Sequence, residues 1–158
     1  MSELLSRNSA SFADSPESAS ADYTLHIKTS PIEIAPNRIL SLKTCNGQFP
    51  GPPLRFKEGK QAIVDVYNDT DSPEQLHWHG QVVPVDVDGA AVESSPFIPA
   101  HGQRRIVFTP RPAGLRFYHT HNRFGANLSA GQYGGEVGPV YIEPKNESGR
   151  CDREFLTL

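Results

Sequence analysis

Four of the six histidines in this chain occur in two His-x-His units, His77-Trp78-His79 and His119-Thr120-His121. Side chains two residues apart on an extended strand point to the same face, so each unit sets two imidazoles side by side. Neutral imidazole is a common ligand for copper, zinc and iron. The two units therefore predict a metal-binding site that is carried by two β-strands.

The ligand types favour copper over the other metals. Neither unit contains an acidic residue that would complete a site of two histidines and one carboxylate, which argues against mononuclear iron. Zinc sites more often include a thiolate or a carboxylate. His26 and His101 stand alone, in a strand pattern and a turn pattern, and we interpret both as ordinary structural histidines.

The composition argues against a blue copper site in this chain. Such a site needs two histidines, one cysteine thiolate and usually a weak axial methionine. The one methionine is Met1, Cys45 has no histidine close to it in the sequence, and Cys151 lies near the C-terminus. The two cysteines could form a disulfide or remain as thiols, and the sequence leaves both possibilities open.

The bulk properties exclude two classes of partner. The chain has 158 residues, enough for one domain, and a formal net charge of -3 with no cluster of lysine and arginine, so we expect no nucleic acid. No apolar run approaches the roughly 20 residues that cross a bilayer, so we expect no membrane partner.

The first residues lack an apolar secretion core. The protein is then cytoplasmic, or it is periplasmic or secreted if a leader was removed.

Many short strands, separated by turn residues, position the two histidine units. The pattern predicts strands near 23–28, 39–42, 62–67, 105–109, 115–118 and 140–142, with a tight turn at Asn46-Gly47. No stretch shows helical periodicity over a dozen residues, so helices should be few and short. With 14 prolines and 13 glycines, this predicts an antiparallel β-sandwich or barrel.

The composition divides the chain into three parts. Residues 1–21 are polar and rich in serine, and we predict a flexible N-terminal tail there. Residues 22–146 form the β domain. A new alternating pattern begins at residue 152, so we predict that residues 147–158 are a linker and the first strand of a following domain; a strand that folds back onto this domain is the alternative.

Five motifs, in this order, resemble the N-terminal cupredoxin domain of a laccase-like multicopper oxidase. They are Asn46-Gly47-Gln48-Phe49-Pro50-Gly51-Pro52, His77-Trp78-His79-Gly80, Asp88-Gly89, Pro96-Phe97-Ile98-Pro99 and Phe117-Tyr118-His119-Thr120-His121. The segments Gln132-Tyr133-Gly134-Gly135 and Gly138-Pro139-Val140-Tyr141-Ile142 extend the resemblance, which covers about residues 23–145. It implies an all-β fold, a Greek-key β-sandwich of the cupredoxin type.

The resemblance also implies a role for each histidine. In that family the first domain supplies half of the histidines of a trinuclear copper cluster, which reduces dioxygen to water while a substrate is oxidised. His77 would bind the type 2 copper, and the type 3 pair would be bound by His79, His119 and His121. Asp88 matches a carboxylate that assists proton delivery, although Asp88-Gly89 could simply form a turn.

The resemblance implies that this chain works with a partner. The second half of the ligands and the blue copper would come from another cupredoxin domain, in the same chain or in a neighbouring subunit. The chain alone should then be inactive towards its reducing substrate, which the sequence does not identify. A non-enzymatic copper-binding or structural domain is an alternative. A cupin is disfavoured because residues 81–85 lack the expected glutamate.

Overall fold

A computed structural model describes residues 16–90, 95–122, 132–146, 149 and 152–155. Cys151, residues 1–15 of the predicted tail and much of the predicted linker at 147–158 lie outside these ranges, and the three domain boundaries stay predictions. Within the described residues, no helix is both long enough and apolar enough to span a membrane.

Eight strands form the framework of the described chain. They are β1 Tyr23–Ala35, β2 Arg38–Cys45, β3 Leu54–Lys57, β4 Ala62–Asn68, β5 Leu76–His79, β6 Gln103–Phe108, β7 Gly114–Thr120 and β8 Val137–Glu143. The only helical pieces in the described ranges are one turn of α-helix, α1 Val85–Asp88, and one 3₁₀ turn, Gln132–Gly134. This confirms the prediction of many strands and few, short helices.

The strands form two four-stranded sheets, ordered β2-β1-β4-β6 and β3-β8-β7-β5. Most neighbours run antiparallel, but β1 pairs with β4 and β3 pairs with β8 in parallel. The sheets are therefore mixed, whereas the strand pattern predicted antiparallel sheets. The reason is that these neighbours are not consecutive in the chain, so a crossover can bring the second strand in from the same end. The short strand β3 was not predicted.

Asn46-Gly47 forms the predicted tight turn at the end of β2. Both residues have positive φ, 57° and 74°, which is the conformation that an Asn-Gly pair adopts with little strain. The amide of Gln48 donates to the carbonyl of Cys45 at 3.4 Å, which closes the turn. The chain then runs through residues 49–53 into β3.

The core lies between the two sheets and is centred on Trp78, which is fully buried. Its ring packs 4.8 Å from Phe108 of the other sheet, and Phe56 meets Phe108 edge to face at 5.5 Å. Tyr118 is also fully buried and donates its hydroxyl to the carbonyl of Pro52 at 3.0 Å. Because Trp78 and Tyr118 alternate with histidines along β5 and β7, the same strands hold the core on one face and imidazoles on the other.

Candidate metal centre

The two His-x-His units lie next to each other because β5 and β7 are hydrogen-bonded neighbours. In their antiparallel register His77 is opposite His119, and His79 is opposite Phe117. Directly opposed residues on antiparallel strands have side chains about 5 Å apart. The pairing of β5 with β7 therefore brings the two histidines of one unit next to the histidines of the other. His121 follows the end of β7, and its amide donates to the carbonyl of Gln75 at 3.2 Å.

All four imidazole rings converge on one face of the second sheet. The centroid of His77 lies 5.2 Å from that of His119 and 4.9 Å from that of His121. The His79 ring lies 5.5 Å from His119. The candidate ligand nitrogens of His77, His79 and His119 all lie within 4.8 Å of one another. The structure thus brings together every histidine that the sequence singled out as a ligand.

Hydrogen bonds fix the orientation of two of these rings. Nδ1 of His119 donates to the carbonyl of Thr120 at 2.7 Å, which leaves Nε2 of His119 facing Nδ1 of His79 at 3.4 Å. Nδ1 of His77 donates to the carbonyl of Asp88 at 2.8 Å. Since a carbonyl oxygen only accepts, both rings carry their proton on Nδ1 and keep the Nε2 lone pair available.

The surroundings of His119 favour its neutral form. Burial, together with the nearby imidazoles of His77, His79 and His121, lowers the pKa of His119 from 6.5 to about 4, and the hydrogen bond to Thr120 opposes this shift. An imidazole must be neutral to bind a metal. Near neutral pH the His119 ring is therefore ready to act as a ligand without first losing a proton.

The chemistry of this donor set fits copper. The group consists of imidazoles, and among the described residues no thiolate or carboxylate joins it. Imidazole-rich sites of this kind suit copper better than magnesium or calcium, which prefer oxygen ligands. Cys45, which the structure finds as a free and buried thiol, lies in the core and not on the histidine face.

Asp88 ends the single turn α1 beside His77. Its carboxylate Oδ2 lies 3.5 Å from Nδ1 of His77, and its side chain remains 25% exposed. Gly89 follows with a φ of 77°, and a Cβ at Gly89 would overlap the carbonyl oxygen of Leu76. Asp88-Gly89 thus forms a turn, and that turn also places a carboxylate between solvent and the histidine cluster. The two interpretations of Asp88 from the sequence are compatible.

The remaining histidines lie apart from this cluster. Nδ1 of His26 pairs with Asp69 at 2.9 Å, and its ring stacks on Tyr67. Nε2 of His101 pairs with Asp71 at 2.9 Å, in a turn where His101 has a φ of 53°. Each single histidine therefore has a local carboxylate partner, in agreement with the structural interpretation.

Comparison with known proteins agrees with this geometry. A family model described as multicopper oxidase matches residues 26–147, which is most of the chain. The chain belongs to the multicopper oxidase family. This confirms the resemblance that the motifs indicated, and with it a cupredoxin-type β-sandwich; membership of the family also implies copper.

Named relatives and solved structures support the same assignment. The chain is 31% identical over 138 residues to copper resistance protein A of Pseudomonas syringae pv. tomato, which covers 87% of this chain and 22% of the relative. It is 37% identical over 110 residues to an L-ascorbate oxidase of Nicotiana tabacum, which covers 66% of this chain and 19% of that enzyme. A multicopper oxidase structure from Pseudomonas thermotolerans matches 82% of this chain with a TM-score of 0.70 and 29% identity, and the match covers 32% of that structure. The chain therefore spans about a fifth of the curated relatives and a third of that solved structure.

The structure of this multicopper oxidase domain also shows two buried carboxylates that no sequence pattern had singled out. Glu74 and Glu136 are both fully buried behind the second histidine unit. Lys43 forms an ion pair with Glu74, and the hydroxyl of Thr120 donates to Glu74 at 3.4 Å. Glu136 accepts from the amide of Thr120 through its main-chain oxygen, at 3.1 Å. Charged residues are normally exposed, so sequence patterns place such residues outside the core.

Phe117 is a further residue that sequence patterns did not identify as part of the site. It lies two residues before His119 on the same face of β7 and stacks on the ring of His79. In the sequence it looks like an ordinary apolar strand residue. The strand alternation could have placed it on the histidine face, but only the pairing of β5 with β7 shows which ring it covers.

Proposed function

We propose that this domain supplies four imidazole ligands to a trinuclear copper cluster that reduces dioxygen to water. The observation that carries the proposal is the convergence of the four rings, with three candidate ligand nitrogens within 4.8 Å of one another. In this assignment His77 binds the type 2 copper, and His79, His119 and His121 bind the type 3 pair. When bound, copper in such a site passes electrons from a reducing substrate to dioxygen.

The residues of this chain hold and orient the ligands and handle protons. Main-chain carbonyls keep Nδ1 of His77 and His119 protonated, so that Nε2 of each ring would be available to bind copper. Dioxygen reduction consumes protons, and a partly exposed carboxylate close to the cluster can relay them. Asp88 is in the right place for this role, because its side chain reaches both solvent and the His77 ring.

The proposal includes a partner domain. Four imidazoles are too few to saturate three copper ions, each of which takes several ligands. In addition, Cys45 belongs to no group of three metal-binding side chains among the described residues, so the described part of the chain offers no blue copper site. We therefore expect a second cupredoxin domain, in the same polypeptide or in a neighbouring subunit, to complete the cluster and to accept electrons from the substrate.

Copper binding by the chain tests the ligand assignment directly. After copper loading and removal of loosely bound metal, the chain should retain copper without an intense blue absorption band. His79→Ala and His121→Ala should each lose most of this copper. His26→Ala and His101→Ala are matched controls, because both residues lie outside the cluster, and they should keep it. Equal retention in all four variants would show that the copper binds adventitiously.

Oxygen consumption tests the enzymatic part of the proposal. In a protein that joins this domain to its companion domain, His119→Ala should abolish dioxygen consumption with a reducing substrate, and His26→Ala should not. The chain alone should show no turnover. The relatives named copper resistance protein A favour one second candidate, copper binding without catalysis. Full copper occupancy without oxygen consumption in the joined protein would support that candidate instead.

A further inference from the structure

The turn that carries Asp88 contacts the ring of His77. The carbonyl of Asp88 accepts from Nδ1 of His77 at 2.8 Å, whereas the Asp88 carboxylate is farther away, at 3.5 Å. The main chain, more than the carboxylate, therefore sets the tautomer of the ring. If the turn moved, the proton could shift to Nε2, and that nitrogen could no longer bind a metal.

The hydroxyl of Ser95 bonds to both ends of this turn. It donates to the carbonyl of Val85 at the first residue of α1, and it accepts from the amide of Gly89 at 3.0 Å, just after the last residue. Ser95 is buried, with 4% of its surface exposed, and its single hydroxyl bridges the two ends of the turn. Val85 and Gly89 have no other common side-chain partner among the described residues.

Ser95 is itself tied to the strand that bears His77. The side-chain amide of Gln75, two residues before His77, donates to the carbonyl of Ser95 at 2.9 Å. The amide of Ser95 donates to the carbonyl of Ala90 at 3.3 Å. Ser95 therefore links the end of the turn to the start of β5, which gives the Asp88 carbonyl a fixed position relative to the His77 ring.

Arg104 adds a second connection, from β6 in the other sheet. Its guanidinium donates to the carbonyl of Asp86 within α1 and to the carbonyl of Pro96, next to Ser95, at 3.1 Å. Two elements that are distant in sequence thus hold the same turn. Loss of Arg104 should loosen the turn in the same direction as loss of the Ser95 hydroxyl.

We propose that Ser95 is a positioning residue for His77, which holds the Asp88 carbonyl against Nδ1 so that Nε2 carries the metal-binding lone pair. In this role Ser95 is not itself a ligand and acts only through the turn. The inference deepens the proposed function, since it rests on His77 being a copper ligand. Its first test, however, needs no copper.

The tautomer of His77 can be read in the metal-free chain from ¹⁵N NMR of its ring, at a pH where the imidazoles are neutral. Wild type should show the proton on Nδ1. Ser95→Ala should shift the tautomer ratio towards Nε2 by roughly three- to tenfold, which corresponds to losing one neutral hydrogen bond. Ser95→Thr keeps the hydroxyl and should restore the wild-type ratio. Ser30→Ala removes a buried hydroxyl of the first sheet and should change nothing.

Two further variants keep the test decisive. Arg104→Met should shift the ratio in the same direction, and it replaces Ser95→Ala if that variant does not fold. Asp88→Asn retains the main-chain carbonyl and should leave the ratio unchanged. An unchanged ratio in both Ser95→Ala and Arg104→Met would overturn the proposal. So would a shift in Asp88→Asn as large as that in Ser95→Ala, because the carboxylate would then orient the ring.

Copper affinity connects the tautomer to the metal. In copper titrations of the whole chain, Ser95→Ala should bind about tenfold more weakly than wild type, a size typical for outer partners of metal-binding histidines. An altered tautomer with unchanged copper affinity would overturn the link between Ser95 and the metal. If wild type bound no copper, the proposed function would fail, whereas the NMR ratios would still decide whether Ser95 sets the tautomer of His77.

Discussion

Phe117 stacks on the imidazole of His79, with ring centroids 4.3 Å apart and ring planes 16° from parallel. Phe117 also lies 5.3 Å from the ring of His119, so one aromatic side chain restricts two of the proposed ligands. Among His77, His79 and His119, His79 is the most exposed. Its orientation therefore depends on Phe117 more than on burial.

Phe117→Ala should weaken copper binding without unfolding the domain. A stacked aromatic pair contributes about 0.5–1.5 kcal/mol, so the affinity of the chain for copper should fall by roughly two- to tenfold. Leu115→Ala is the matched control, because Leu115 lies on the same face of β7, two residues earlier, and is 52% exposed. Copper titration and urea denaturation of both variants provide the measurement. Equal losses of affinity would indicate general loosening of β7 instead of a specific effect on His79.

Gly89→Ala should displace the turn that carries Asp88. A methyl group at Gly89 would overlap the Leu76 carbonyl oxygen and would also enforce an unfavourable positive φ. Gly47→Ala has the same φ penalty, about 1–2 kcal/mol, but its nearest neighbour is the flexible side chain of Lys28 at 3.2 Å.

Chemical denaturation should therefore show a clearly larger loss of stability for Gly89→Ala than for Gly47→Ala. Copper binding should weaken only in Gly89→Ala, because only that turn contacts His77. If the two variants lost the same amount of stability, the α1 turn would have room to move away from β5, and the close approach at Leu76 would not matter.

The sequence alone predicted the histidine face because strand geometry fixes it locally. A His-x-His unit on a strand has only one arrangement, with both rings on one side and the middle residue on the other. The same alternation puts Trp78 and Tyr118 on the opposite face from the histidines, and both are fully buried. Strand geometry does not show that the two units are neighbours, because β5 and β7 pair across a sequence separation of about 40 residues. Only the family resemblance led us to expect that all four histidines meet at one cluster.

The residues that sequence patterns missed act through long-range contacts. Ser95 and Arg104 are a polar loop residue and a charged strand residue, and neither has a local pattern that marks its bonds to the α1 turn. Glu74 and Glu136 are 62 residues apart by their numbering and meet only in the folded protein. Such roles depend on tertiary packing, which hydrophobic periodicity does not encode.

Acid should destabilise the metal-free domain through His119. The pKa of His119 falls from 6.5 to about 4 on folding, mainly because of burial, so the unfolded chain binds a proton at a higher pH than the folded one. The contribution of His119 to stability is complete above pH 6.5 and is lost as the pH falls towards 4, by about 3 kcal/mol in total. Urea denaturation across this range, with chelator present, should show the decline, and His119→Gln should flatten it. An equal slope in the variant would exclude His119 as the cause.

Glu136 should make the domain less stable as the pH rises, which is the opposite of the effect of His119. Burial raises its pKa well above 4.5, and the neighbouring carboxylate of Glu74 raises it further, while Lys43 opposes the shift. Among the described residues neither carboxylate oxygen of Glu136 has a hydrogen-bond partner, which suits a protonated group better than a charged one. Cys45 and Tyr118 also face Glu136, but burial raises the pKa of both, and they stay neutral.

Because the folded pKa of Glu136 is raised, its stabilising contribution is complete below pH 4.5 and is lost as the pH rises through the folded value. Glu136→Gln imitates the protonated form, so the variant should resemble wild type near pH 5 and become more stable than wild type at higher pH. The difference should grow by up to about 1.4 kcal/mol per pH unit, the slope for one proton. Glu74→Gln removes the neighbouring carboxylate that raises the pKa of Glu136, so in this variant the decline in stability should span a narrower pH range than in wild type. Parallel pH profiles for wild type and Glu136→Gln would show that Glu136 is already ionised in the folded domain.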